Sequence, residues 1–106
     1  MKTTKYNKLI RDKIPEIIEK SGKQPITEIL DDKAYKKHLD DKLGEELQEY
    51  LASDNIEELA DLVEVVHAIV KYKNVSLSDF EKIRIQKAVE RGAFDKRLLL
   101  KEVIEE

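Results

Sequence analysis

The sequence predicts an all-α fold, a helical hairpin core with flanking helices and short extended segments near 24–30 and 97–101. Three observations carry this. Apolar residues recur at spacings of three and four, the period of one helix face. Short polar residues stand where helix starts need capping groups. One segment is apolar around most of its circumference, as a buried helix is.

The bulk numbers bound the answer. At 106 residues the chain is one domain, 1–106. Charged residues make up 41%, well above the roughly 25% of an average globular chain. Apolar residues are also 41% and too well patterned for disorder. A net charge of −3 gives no electrostatic case for a nucleic-acid or membrane partner. With no cysteine, disulfides and thiolate zinc sites are excluded. No apolar run approaches the roughly 20 residues that span a bilayer. The opening MKTTKYNKLIRDK is basic without a long apolar core behind it, so it does not read as a secretory signal. The expected location is cytoplasmic.

In order, residues 6–22 read YNKLIRDKIPEIIEKSG, a basic segment leading into a short helix. Pro15 suits the first turn, where its missing N–H costs nothing. Ile14, Ile17 and Ile18 form the apolar side, and Gly22 is a stop signal. KQPITEIL, 23–30, favours an extended connection because of Pro25 and the β-branched Ile26 and Thr27. Asp31 or Asp32 caps the next helix. Its apolar stripe is Leu39, Leu43, Leu47, Tyr50 and Leu51, with Lys36, Lys37, Asp40 and Asp41 on a solvated face. That helix ends near Ser53. Asp54 followed by Glu57 forms a capping-box-like start for the third helix.

In the third helix Ile56, Leu59, Leu62, Val63, Val65, Val66, Ile69 and Val70 cover more than half of the circumference. Such a helix sits centrally, at a subunit interface, or both. Ser78 with Glu81 fits a capping box for a fourth helix, carrying Phe80, Ile83, Ile85, Ala88 and Val89 and ending at Gly92. For Leu98, Leu99 and Leu100 a short strand and a terminal helical segment stay equally open. No repeat, low-complexity tract or linker divides the chain.

The chemistry-bearing stretch is KLGEELQEYLASDNIEELADLVEVVHAIVKY, residues 42–72. Glu46 with Glu49, and Glu58 with Asp61, sit three apart on consecutive helices and form local carboxylate pairs. Like charges at that spacing oppose a helix by roughly 0.2–0.5 kcal/mol per pair. Folded back as a hairpin, the two pairs place four carboxylates within reach of one cation. Glu58, Asp61 and Glu64 lie in an apolar background, where a carboxylate pairs, neutralises or binds a metal. A single E-x-x-H, Glu64 to His67, falls short of the two that a di-iron bundle site uses, so that site is disfavoured. All-oxygen ligands suit magnesium or manganese, and magnesium shares its shell with substrate phosphates. The opposing interpretation is ordinary glutamate-rich helix surface.

His38 reads as surface and His67 as a packing residue beside the apolar face rather than a base. No Ser/His/Asp set, phosphate-cradling glycine loop or Walker motif is present. Lys8, Arg11 and Lys13 early on, with Lys87, Arg91 and Arg97 later, either hold phosphates or form solvated surface and salt bridges.

The order E-E-x-x-E (Glu45, Glu46, Glu49) then E-x-x-D (Glu58, Asp61) resembles the all-α nucleoside triphosphate pyrophosphohydrolases. That superfamily includes MazG-type enzymes and phosphoribosyl-ATP pyrophosphohydrolase. YNKLIRDKIPEII and KAVERGAFDKR resemble a small branch of it, phosphoribosyl-ATP pyrophosphohydrolase-like, and together these segments cover nearly the whole chain. The hairpin turn, residues 50–57, is shorter than in many MazG-type members.

The resemblance implies magnesium-dependent hydrolysis between the α- and β-phosphates of a nucleotide, to a monophosphate and pyrophosphate, with manganese as a substitute cation. By carry-over, Glu46, Glu49, Glu58 and Asp61 are the metal ligands. Glu45 serves a second metal or orients the attacking water, so Glu45 and Glu46 are the candidate catalytic residues. Lys8, Arg11, Lys13, Lys87 and Arg91 are the candidate phosphate contacts. The resemblance also implies a homodimer or homotetramer, and house-cleaning of non-standard nucleotides is one role open to it. Two alternatives compete: a non-catalytic helical module that self-associates, and a degenerate member that binds nucleotides as a sensor.

Overall fold

The computed structural model describes residues 1–105. Four helices follow in order: α1 (Ile14–Lys20), α2 (Asp32–Ser53), α3 (Ile56–Tyr72) and α4 (Leu77–Arg91). The fold is all-helical, a hairpin of α2 and α3 with flanking helices. Residues near 24–30 and 97–101 adopt neither helix nor strand. Among the described residues no helix is long and apolar enough to cross a membrane.

The caps explain where each helix begins, and two differ from the sequence expectation. Asp31 caps α2, its Oδ1 accepting from the Ala34 N–H at 2.8 Å. The cap of α3 is Asn55, not Asp54: Asn55 Oδ1 accepts from the Glu57 N–H at 3.0 Å. Asp54 instead terminates α2 in the left-handed region (φ 55, ψ 30), a conformation that a short polar side chain tolerates. With a link this short, one residue closes α2 and the next opens α3. Likewise Ser76, not Ser78, caps α4, accepting from the Asp79 N–H at 3.0 Å. Pro15 sits in the first turn of α1 as expected. Gly92 ends α4 with φ 81 and ψ 175. That region lies outside the left-handed helical well expected there and is open essentially to glycine alone.

The hairpin is built from facing rows. At about 100° per residue, Leu39, Leu43, Glu46 and Tyr50 fall within about 60° of arc on α2. Leu39 is buried, Leu43 and Tyr50 half-buried, and Glu46 buried in the same row. Leu47 and Leu51 lie roughly 80–120° away from Leu39 and are exposed, so the predicted five-residue stripe divides into two rows. On α3, Glu58, Leu62, Val65 and Ile69 form the corresponding row, all half-buried. At the far end Tyr35 meets Tyr72 edge to face, with ring centroids 5.9 Å apart, an arrangement favoured by the ring quadrupoles. On the solvated side Lys36 pairs with Asp40, and Lys37 with Asp41 at 2.7 Å.

The expectation that α3 is covered on several sides is not met within one chain. Its only buried residue is Val70, while Ile56 and Val63 are exposed. Leu39 and Val70 are the only buried apolar residues among those described. The Cα radius of gyration is 19.0 Å, against about 13 Å for a compact chain of this length.

Candidate metal centre

Three of the four predicted ligands converge. Carboxylate oxygens of Glu46 on α2 and of Glu58 and Asp61 on α3 all lie within 4.8 Å of one another. The row geometry causes this, because Glu46 and Glu58 each occupy a position on the hairpin's inner face that a leucine would ordinarily fill. Glu46 is 6% exposed. Glu46 Oε2 and Glu58 Oε2 are both buried without a hydrogen-bond partner among the described residues. A buried carboxylate oxygen left without a donor carries its full desolvation penalty. Glu49, one turn beyond Glu46, is exposed and lies outside the close trio.

The electrostatics are those of crowded anions. Burial pushes the Glu46 carboxyl above its ordinary value, and the Glu49 charge adds to it. Burial does the same for Glu58, reinforced by Glu49 and Asp61. Both shifts favour the protonated form when no cation is present. Glu45 behaves oppositely. Burial opposes its charge, but Lys8 and Lys42 outweigh that and hold its pKa below the ordinary value.

Basic residues border the trio. Lys8 Nζ donates to Glu45 Oε1 at 3.1 Å, and this contact raises the Lys8 pKa. Arg11 Nη2 donates to Asp61 Oδ1 at 2.7 Å. Thus the segment before α1 lies against the acidic end of the hairpin. Lys42 was not singled out in the sequence, yet its Nζ lies 3.5 Å from both Glu45 Oε2 and Glu46 Oε1. Its signal was available, since it precedes those residues by three and four positions on one helix. The other candidates are placed differently. Lys13 is the residue before α1 and is exposed, and Lys87 and Arg91 are exposed toward the end of α4. Among the described residues none of these three forms an ion pair with the carboxylates. His38 is half-buried and lines a small crevice with Asn7, Lys8, Asp41, Lys42 and Glu45, so it is closer to the site than a surface residue. His67 is half-buried on α3.

The donor set fits a hard divalent cation. It is all oxygen and anionic, and two of its oxygens are unsatisfied. Oxygens on opposite sides of a magnesium ion lie about 4.2 Å apart, so a spread of up to 4.8 Å needs only side-chain adjustment.

A stretch of 46 residues is 48% identical to an uncharacterised protein of Mycolicibacterium smegmatis. The match covers 43% of this chain and 47% of the relative, so it spans about half of that protein's length. No family model matches the chain, and no solved structure matches it.

Proposed function

We propose that the chain is a magnesium-dependent nucleotide pyrophosphohydrolase of the MazG-like kind, acting on the anhydride between the α- and β-phosphates. The observation that carries this reading is the pair of unpartnered buried oxygens, Glu46 Oε2 and Glu58 Oε2, on carboxylates that converge with that of Asp61. Lys42 reaches Glu46 Oε1, but a surface-charge role leaves the two Oε2 atoms without a compensating partner. The acid-rich motif order and the flanking basic segment support the same reading.

Glu46, Glu58 and Asp61 would hold the cation, with Glu49 within one helical turn to join them. When bound, a divalent cation neutralises phosphate charge, templates in-line geometry and acidifies a water molecule. The chain's own residues do the rest. Lys8 and Arg11, on the segment before α1, are placed to hold phosphate oxygens beside the carboxylates, with Arg11 suited to two-pronged contact. Glu45, kept ionised by Lys8 and Lys42, accepts a hydrogen bond from the attacking water and orients it.

The test is pyrophosphate release from a panel of standard, oxidised, deaminated and deoxy nucleoside triphosphates, with magnesium and with chelator. Metal-dependent release from any of them, lost in Glu49→Gln and Asp61→Asn, is the expected result. Folded protein that releases nothing from the panel or from phosphoribosyl-ATP overturns the assignment and leaves the non-catalytic module.

A further inference from the structure

The segment after α4 is the least satisfied part of the chain. Phe94, Leu98, Leu99, Leu100, Val103 and Ile104 are each between 72% and 96% exposed. Beyond the turn closed by the Arg97 N–H donating to the Phe94 carbonyl, residues 98–105 take part in no backbone–backbone hydrogen bond among the described residues. Large apolar side chains on a backbone with free N–H and C=O groups make a template for pairing with another surface.

The chain also carries an uncovered surface of matching character. An apolar groove of about 340 Å³ is lined by Leu43 of α2, Val66, Ile69 and Val70 of α3, and Phe80 and Ile83 of α4. Lys73 is the one charged residue on its lining, and Glu102 and Glu105 on the exposed segment offer carboxylates to it. Phe80 and Ile83 lie in the first half of α4, whereas the segment leaves from Gly92. The groove and the root of the segment are therefore roughly 14–18 Å apart along the helix, and no described residue of the segment lines the groove of its own chain.

We propose that residues 98–105 of one copy of this chain lie in the apolar groove of a second copy. Each copy has one arm without a surface and one groove without a cover. A two-fold arrangement satisfies both at once, because an isologous contact is made twice. It also supplies the apolar burial that the single chain lacks, with Leu39 and Val70 alone buried among the described apolar residues.

The absence of cysteine gives a clean test. Ile83→Cys is made in the groove, where the side chain is 52% exposed. Leu98→Cys, Leu99→Cys and Leu100→Cys are made separately on the arm, and Lys37→Cys on the exposed face of α2 serves as control. Each arm variant is mixed with Ile83→Cys under mild oxidation, and mixed disulfides are read by mass. A seated arm holds the thiols at millimolar effective concentration, so at least one mixture should exceed the control by roughly tenfold or more. Light scattering on the unsubstituted chain should give a dimer or a multiple of it. A double variant carrying Ile83→Cys and the reactive arm cysteine that closes only within one chain, independent of concentration, overturns the proposal in favour of cover by the same chain. A monomer, or a dimer whose arm cysteines react no better than the control, overturns it as well.

Discussion

Arg11 Nη2 donates a hydrogen bond to Asp61 Oδ1 at 2.7 Å, joining the segment before α1 to α3. The contact places a guanidinium on a carboxylate that belongs to the cation cluster, so Arg11 and a cation compete for the same carboxylate in the absence of substrate. Arg11→Ala should therefore tighten manganese binding to the free protein by a few-fold, consistent with the modest worth of exposed ion pairs. The same change should lower kcat/KM roughly 10- to 100-fold through loss of a charged hydrogen bond to phosphate. Weaker manganese binding in the variant would show that Arg11 organises the cluster rather than competing with the cation.

Glu46→Gln keeps the shape of the side chain and removes the charge. Turnover should drop by at least about a hundredfold, the upper end of what even outer-shell changes cost a metal site. The metal-free fold should gain thermal stability, because a buried carboxylate crowded by Glu49 is replaced by a neutral amide. Thermal melts in chelator, set beside turnover in magnesium, separate the two effects. Loss of both stability and turnover would assign Glu46 a structural role.

The pKa shifts of Glu46 and Glu58 give a pH signature. Both folded-state values lie above the ordinary 4.5, so the folded protein binds more protons than the unfolded one just above that pH. Their contribution is present below pH 4.5 and is lost as pH rises through the raised folded values. Glu45, Asp41 and Glu81 have depressed values. Their contribution is present above the unfolded value and lost as pH falls through the folded ones. Denaturant melts in chelator should show stability declining above about pH 4.5, and Glu46→Gln with Glu58→Gln should flatten that decline. Saturating magnesium should remove it in the unsubstituted protein. An identical slope in the double variant would place its origin elsewhere.

The α2–α3 junction separates two adjacent residues. Asn55→Ala removes the cap of α3 and should cost about 1 kcal/mol in urea melts. Asp54→Gly relieves a left-handed residue at φ 55 and should be neutral or stabilising. The reverse ranking would restore Asp54 as the cap.

These two residues also show what was legible in the sequence. The helices and the acidic motif were legible because period and spacing are local properties. The choice between Asp54 and Asn55, or Ser76 and Ser78, was not, because neighbouring short polar residues can all cap and only the backbone path selects one. The inner positions of Glu46 and Glu58 follow from the same period that marks the leucines. The contacts of Lys8 with Glu45 and of Arg11 with Asp61 cross 37 and 50 positions, and no local pattern encodes them. The divided stripe on α2, with Leu47 and Leu51 exposed, reflects contact with one helix alone, so a stripe predicted from period included residues that this chain does not cover.

The most direct test of the account is a manganese titration of the metal-free protein, followed by electron paramagnetic resonance, on the unsubstituted chain and on Glu58→Gln. The account predicts saturable binding at a defined stoichiometry, displaced by magnesium and weakened at least about tenfold in the variant. Binding that is absent, or unchanged in Glu58→Gln, would contradict the claim that the unpartnered oxygens of Glu46 and Glu58 are completed by a divalent cation.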